Sequence, residues 1–152
     1  MNNAVTLVVS GREFGGWKAV AIHAGIGRQV RDFHLTITNR WPGSGDIPRR
    51  VHPGDRCEVY IGADKVLTGY VDATPISYNA KEVTVGVRGR SLTADLVDCA
   101  AIHPGGRWGA AKLERIASDL AAPYGVRVAT EVDTGAPLAH AIEQGETVFE
   151  SI

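Results

Sequence analysis

The sequence predicts a mainly β protein with a small α+β portion. We expect an antiparallel, barrel-like domain at residues 1–100, followed by a partial α/β subdomain at residues 101–152. In the first region, short runs of β-branched and aromatic residues alternate with turns rich in glycine, proline, aspartate and asparagine. About six or seven such runs within 100 residues are typical of a small barrel or sandwich. After residue 101 the apolar residues recur at helical spacing instead.

The first strands are predicted from alternation and β propensity. Residues 5–9 (VTLVV) favour extended structure, and the following SGRE is a turn sequence. In residues 33–38, three apolar side chains alternate with three polar ones, which indicates a half-buried strand. His34 lies on the polar face of that strand, so we interpret it as a surface or partner-contacting residue rather than a catalytic one.

Residues 41–55 are predicted to form a long, exposed loop. Prolines and glycines recur through this segment, so it cannot supply an uninterrupted strand or helix. Tryptophan and arginine are favoured as interface anchors, and a loop of this length can reach a neighbouring subunit. Trp41, Arg49 and Arg50, together with His34, are therefore the candidate subunit interface. The alternative is that Trp41 covers one end of the barrel.

The remaining strands of the first region lie on both sides of a glycine turn. Residues 57–61 and 65–71 have the spacing of a tight hairpin around Gly62, and residues 83–88 alternate with three valines on one face. Residues 91–97 are expected to close the region with a short helical turn. The aromatic residue at position 17 is expected in the core.

The second region is predicted to contain one clear helix. Leu113, Ile116 and Leu120 recur at helical spacing within residues 110–122, and we expect all three to be buried. Residues 126–128 are expected to return as a strand, and Thr147 is a candidate cap for a further helix. That helix has few residues before the sequence stops, which predicts a chain cut from a longer protein, with apolar side chains exposed at Val148, Phe149 and Ile152.

Composition and charge exclude several function classes. The formal net charge is -1, with 16 Lys and Arg against 17 Asp and Glu, so there is no overall positive field for nucleic acid or an anionic membrane. There is no apolar run of membrane-spanning length and no secretory leader, so we expect the protein to be made and kept in the cytoplasm. Cys57 and Cys99 have no metal-ligand spacing and are expected to be reduced thiols.

Catalytic and cofactor motifs are also missing from the sequence. There is no GxSxG nucleophile elbow, and the glycine pairs do not have the spacing of a phosphate-binding loop. The loop carboxylates Asp46, Asp55, Asp64 and Asp72 are scattered and are explained by turn formation and solvation. We therefore predict no catalytic, cofactor-binding or metal-binding residues.

Five segments, in order along the whole chain, resemble the Mu-like phage baseplate hub family. They are VTLVVSGREFGGW at residues 5–17, VHPGD at 51–55, TGYVD at 68–72, GRSLTADLVDC at 89–99 and QGETVFE at 144–150. The resemblance implies a tail-tube-like first barrel, a small α/β insertion and a second barrel in chains about twice as long. It also implies three copies in a ring of pseudo-sixfold symmetry, which joins the sixfold tail tube to the threefold spike in the virion baseplate.

The favoured function is therefore a structural component of a contractile tail baseplate hub, with copies of itself and the tail tube and spike proteins as partners. The alternatives are a small ligand- or carbohydrate-binding β module and, after that, a tail-associated hydrolase that uses the loop carboxylates. A hub protein should self-associate with concentration. A binding module should stay monomeric and gain thermal stability from its ligand.

Overall fold

The computed structural model describes residues 4–39, 51–78 and 83–152. It divides the chain into two units, Met1–Ser91 and Leu92–Ile152. This division falls earlier than the predicted one at residues 100 and 101. The reason is that Leu96, on the short helix that follows Ser91, is buried in the core of the second unit together with Val148.

The first unit is an antiparallel β sheet of eight strands. They are β1 (Val5–Val9), β2 (Arg12–Phe14), β3 (Ala19–His23), β4 (Asp32–Asn39), β5 (Arg56–Ile61), β6 (Asp64–Ala73), β7 (Ile76–Tyr78) and β8 (Val83–Ser91). The strand order is β2-β1-β5-β6-β8-β4-β3, and β7 also pairs with β8. Within the described residues β2 and β3 do not pair with each other, so the sheet is open and is not closed into a barrel.

The predicted alternation places one face of this sheet in the core. In the β4–β8 ladder Leu35 lies opposite Val87, and Ile37 lies opposite Val85. Side chains from strands at distant positions in the sheet share one buried cluster, so the open sheet curls around its apolar face. That cluster contains Leu7, Val9, Phe33, Leu35, Cys57, Val59, Leu67, Val71 and Val87.

Two glycine features shape the sheet. The predicted tight hairpin is confirmed, because β5 and β6 are joined by a two-residue turn in which Gly62 has a φ of 61°. Gly69 in β6 lies against the backbone of β8. A Cβ atom built on Gly69 would be 1.8 Å from the carbonyl oxygen of Arg90, so this crossing requires glycine. The indole of Trp17 is half-buried against the core cluster, as expected.

The second unit combines three short helices with a two-stranded sheet. Its elements are α1 (Ala94–Asp98), β9 (Arg107–Ala111), α2 (Leu113–Ala121), β10 (Leu138–Ala141) and α3 (Val148–Ser151). β9 and β10 pair antiparallel. The predicted helix is confirmed as α2, which runs into a 3-10 turn and ends at the left-handed Gly125. The core of this unit contains Leu96, Ile116, Leu120, Ala121 and Val148.

The predicted cap of the last helix is also confirmed. The Thr147 Oγ1 accepts a hydrogen bond from the backbone N–H of Glu150, and the Glu150 carboxylate accepts one from the backbone N–H of Thr147. This reciprocal pair is a capping box, which satisfies two backbone donors at the start of α3. None of the helices in the described part of the chain is long and apolar enough to cross a membrane.

Three details of the second unit differ from the sequence prediction. Leu113 is 37% exposed, because it is the first residue of α2 and lies one turn before the buried Ile116. Residues 126–128 form no strand; Val126 and Val128 pack directly on the core, while β9 and β10 pair with each other. Val148 is fully buried rather than exposed, although Phe149 and Ile152 are exposed as expected.

Candidate functional site

Only one of the four candidate interface residues lies within the described residues. His34 is the third residue of β4 and lies between Ala21 of β3 and Arg88 of β8. Its side chain is half-buried on the face opposite Leu35, as the alternation predicted. Its Nε2 atom lies close to Gly86, where an added Cβ would be 3.3 Å away. Trp41, Arg49 and Arg50 lie outside the described residues.

The two ends of the first sheet form a second candidate surface. β2 has three residues, two of them the exposed and charged Arg12 and Glu13. β3 has five residues, and its side chains are exposed at Ala19, Val20 and His23. Unpaired strand edges present rows of backbone donors and acceptors, and such edges are where further strands add to a sheet. An open sheet of this kind is therefore suited to assembly with other chains.

Three polar side chains form a cluster on the β5–β6 hairpin. The Tyr60 hydroxyl donates to Glu58 Oε2 at 2.7 Å, and the Lys65 ammonium contacts Glu58 Oε1 at 3.1 Å. The hydrogen bond from Tyr60 is the largest cause that holds the pKa of the Glu58 carboxyl below its usual value. The Lys65 side chain is exposed, and those of Glu58 and Tyr60 are half-buried. A partly exposed ion pair of this kind contributes little to stability.

An aromatic stack in the second unit was not anticipated from the sequence. The ring of His103 stacks on Trp108 with centroids 4.0 Å apart, and His140 lies on Trp108 at 5.6 Å. The Trp108 indole N–H donates to Asp119 Oδ2 at 3.1 Å, which is the largest cause of the lowered pKa of Asp119. No local sequence pattern links the three rings. His103 lies in the loop before β9 and Trp108 in β9, whereas His140 lies much further along the chain, in β10.

This stack borders an open depression of about 540 Å³, lined by Arg107, Trp108, Gly109, Ala139, His140 and Ala141. Carbohydrate and base ligands are usually held by a free aromatic face. Here His103 stacks on the Trp108 indole and His140 lies tilted beside it, so side chains of the same unit already occupy part of the indole surface.

One serine contacts a histidine, which is the pairing that a nucleophilic serine requires. The His140 Nε2 and Ser151 Oγ are 2.9 Å apart. A catalytic serine also needs a group that orients its histidine, usually a carboxylate. The structure bonds His140 to Ser151 and to no carboxylate within the described residues. The pair is better explained as a hydrogen bond that satisfies the buried Ser151.

The loop carboxylates and the Cys57 thiol do not form a common site among the described residues. Asp55 accepts a backbone hydrogen bond from His52, and Asp72 pairs with the Arg90 guanidinium at 2.8 Å. Asp46 lies outside the described residues. Burial is the main cause that raises the pKa of the Cys57 thiol to about 12, so this thiol is not ionised near neutral pH. In the part of the chain that the structure describes, no group of three or more metal-ligating side chains occurs.

Comparison with solved structures identifies the class of protein that has this fold. The chain superposes on the 43 kDa tail protein of prophage MuSo2 from Shewanella oneidensis with a TM-score of 0.87 and 34% identity, covering 97% of this chain and 47% of that one. It superposes on a tail protein from Neisseria meningitidis MC58 with a TM-score of 0.78 and 26% identity, covering 97% and 43%. The fold is that of a phage tail protein.

Sequence comparison gives the family. Residues 4–91 match the Mu phage baseplate assembly protein GpP-like family, N-terminal domain, and residues 93–152 match the second domain of the baseplate hub protein gp44-like family. The chain is 38% identical to baseplate hub protein gp44 of Escherichia phage Mu over 156 residues, covering 100% of this chain and 40% of that protein. The chain therefore belongs to the Mu-like baseplate hub family, as the resemblance predicted, and spans less than half of these relatives.

Proposed function

We propose that the chain is a structural component of a contractile phage or prophage-derived tail baseplate hub, which assembles with copies of itself into a ring between the tail tube and the central spike. The observation that carries this proposal is the open antiparallel sheet of the first unit, in a chain that matches hub families over both of its units. A ring forms when head-to-tail contacts close by rotation, and open edges can supply such contacts.

The proposed partners are other copies of the chain, in a trimer for the full-length protein, and the tail tube and spike proteins. Support comes from the Mu relative, which is a baseplate hub protein. Neither nucleic acid nor a membrane is proposed as a partner, because the formal net charge is only -1. We propose that assembly takes place in the host cytoplasm and that the final location is the virion baseplate.

The proposed subunit interface includes Trp41, Arg49, Arg50 and His34. A tryptophan buries a large apolar surface, and an arginine can form bidentate hydrogen bonds with carboxylates on a neighbour. His34 contributes from the polar face of β4, where it is half-buried beside the small residue Gly86. We also propose the domain organisation predicted from the sequence, in which a tail-tube-like domain is followed by a smaller α/β subdomain.

We propose that the chain has no catalytic activity. The hydrolase alternative would need two carboxylates held at a set separation, yet Asp72 is paired with an arginine and Asp55 with a backbone amide. The ligand-binding alternative would need a free aromatic platform or a deep pocket, and histidine rings lie against Trp108. Assembly into a ring through contacts between subunits requires neither a carboxylate pair nor a ligand-binding pocket.

Removing the loop anchors tests the proposed interface. The triple variant Trp41→Ala, Arg49→Ala, Arg50→Ala is expected to raise the self-association constant Kd by about tenfold or more, because truncating such anchors usually costs about 2 kcal/mol or more in binding. Sedimentation velocity over a concentration series measures this change.

The matched control removes one aromatic residue and two arginines elsewhere in the chain. Tyr78, Arg56 and Arg127 are exposed, and their combined replacement by alanine should leave the sedimentation profile as in the parent chain. Equal weakening in both triple variants, or no weakening in the loop variant, would contradict the proposed interface. Turnover of peptidoglycan or simple esters by the parent chain, lost on mutating Asp46 or Asp55, would favour the hydrolase instead.

A further inference from the structure

Residues 129–141 of the second unit, which we call the flap, lie between two residues that pack on the core. Val128 precedes this segment and Ile142 follows it, and both lie against the core cluster of the unit. Of the thirteen side chains in the flap, eleven are exposed, and only those of Thr134 and His140 are half-buried. Burial of apolar surface is the dominant force that holds a segment in a fold. The flap contributes little of this force, although it includes the whole of β10.

The strand in the flap, β10, is paired on one side. In the described part of the chain its partner is β9, and the two strands form a sheet of their own. The ladder between them is interrupted, because its register shifts between Leu138 and His140. A pair of strands is only marginally stable in water without further strands or helices packed on it. Pairing with β9 therefore holds the flap closed only weakly.

Two polar contacts with the start of α2 hold the other half of the flap. The Lys112 ammonium contacts Asp133 Oδ1 at 2.7 Å, and the Thr134 hydroxyl donates to the Glu114 carboxylate. We call these two contacts the latch. The Lys112 side chain is 43% exposed and that of Asp133 is 74% exposed, and ion pairs as exposed as this one are weak. The latch therefore fastens the flap reversibly.

We infer that the flap opens and closes as one piece while the rest of the second unit stays folded, and that the latch sets how often it opens. Segments with few buried apolar contacts are the ones that open locally in folded proteins. Val128 and Ile142 stay on the core and are the two hinges. Opening separates His140 from Trp108 and from Ser151, which it contacts in the closed state. One side of the indole and the backbone edge of β9 are then uncovered.

The latch carboxylates make their contacts in the ionised form. The hydrogen bond from Lys112 is the largest cause that holds the pKa of Asp133 below its ordinary value, and the hydrogen bond from Thr134 does the same for Glu114. The charge of Lys112 also lowers the pKa of Glu114, whereas that of Asp133 raises it. A lowered pKa in the closed state stabilises that state above the ordinary pKa, and this contribution is lost as the pH falls through the lowered value. Acid therefore favours the open flap.

The flap goes beyond the proposed hub function and does not depend on it. Its opening is a change within one chain and requires no second copy. The two proposals therefore fail independently: the loop variant described above reports on self-association, and flap variants report on local opening. The open state presents a strand edge and an aromatic side chain in a unit that is otherwise folded.

Hydrogen exchange of backbone amides, measured by NMR residue by residue, tests the flap. In the parent chain the protection factors of the β10 amides are expected to be about tenfold or more below those of α2, because α2 opens only with the core of the unit. Replacing both flap residues of the latch, Asp133→Ala with Thr134→Val, removes one ion pair and one hydrogen bond. This double variant is expected to lower the protection of β10 by about a further tenfold and to leave that of α2 unchanged.

The matched control is a second double variant in the same flap, Glu131→Ala with Thr130→Val. It also removes one carboxylate and one hydroxyl, and both residues are exposed and have no hydrogen bond or ion pair among the described residues. Its β10 protection should equal that of the parent chain. Equal protection of β10 and α2 in the parent chain would show that the flap opens only when the whole unit unfolds. Equal effects of the two double variants would show that the latch does not control the flap, and either result would overturn the inference.

Discussion

Gly69→Ala is expected to unfold the first unit. The added Cβ would lie 1.8 Å from the carbonyl oxygen of Arg90 and 2.8 Å from the Cα of Ser91, both backbone atoms of β8. Relief of this overlap requires β6 and β8 to separate, which breaks the ladder between them. We expect the free energy of unfolding to fall by about 4 kcal/mol or more, a loss that single substitutions reach only through strong strain or overpacking of this kind. Such a loss approaches the whole free energy of unfolding of a small domain.

Urea denaturation followed by circular dichroism measures this loss. Gly27→Ala is the matched control, because an added Cβ there meets no atom within 4 Å and Gly27 does not have a positive φ. We expect Gly27→Ala to stay within about 0.5 kcal/mol of the parent chain. Equal stability of both variants would show that β6 and β8 do not cross as closely as the structure has them.

Ile116→Ala is expected to destabilise the second unit by about 2–5 kcal/mol. Ile116 is 1% exposed and packs in the core with Leu120 and Val148. Its truncation removes apolar contacts and leaves a cavity that the short helices can fill only in part. The same truncation at Leu113, which is 37% exposed on the same helix, should cost much less.

The chain has two compact units, and two-state unfolding as a whole is assured only for single domains, so each unit is measured by itself. Hydrogen exchange of backbone amides in α2, read residue by residue, isolates the stability of the second unit. Faster exchange confined to the second unit in Ile116→Ala, with little change in Leu113→Ala, is the expected pattern. Similar effects of the two substitutions would mean that the α2 face is not packed as described.

Much of the first unit could be predicted from periodicity alone. In β4 and β8 the alternation of apolar and polar residues is strict, and a sheet is the structure that places such residues on one face. The hairpin at Gly62 was predictable because a two-residue turn with a left-handed glycine has a recognisable sequence. Sheet closure was not predictable, since it depends on whether the distant strands β2 and β3 meet.

The errors in the second unit have one physical origin. Helical spacing identifies which face of α2 is apolar, but it does not say where along the helix the core ends, so Leu113 was predicted as buried. In the same way, Val126 and Val128 have strand propensity but pack on the core without a strand partner. Val148 was expected to be exposed, because the prediction treated α3 in isolation from Leu96 and Ile116.

The candidate site was predicted less completely than the fold. The position of His34 on the polar face of β4 followed from alternation. The stack of His103, Trp108 and His140 did not, because its members are brought together only by the pairing of β9 with β10 and by the loop before β9. The position of β3 at the end of the described sheet likewise depends on the strand order, which no local pattern contains.

The central claim is that the chain is a structural part of a tail baseplate hub, and immunogold electron microscopy of intact tails tests it most directly. Antibodies raised against the purified chain would be applied to particles released from the host that encodes it. The account predicts gold labels at the baseplate end of the tail, opposite the head. Labels along the sheath, or a chain that stays in the lysate with unlabelled tails, would contradict it.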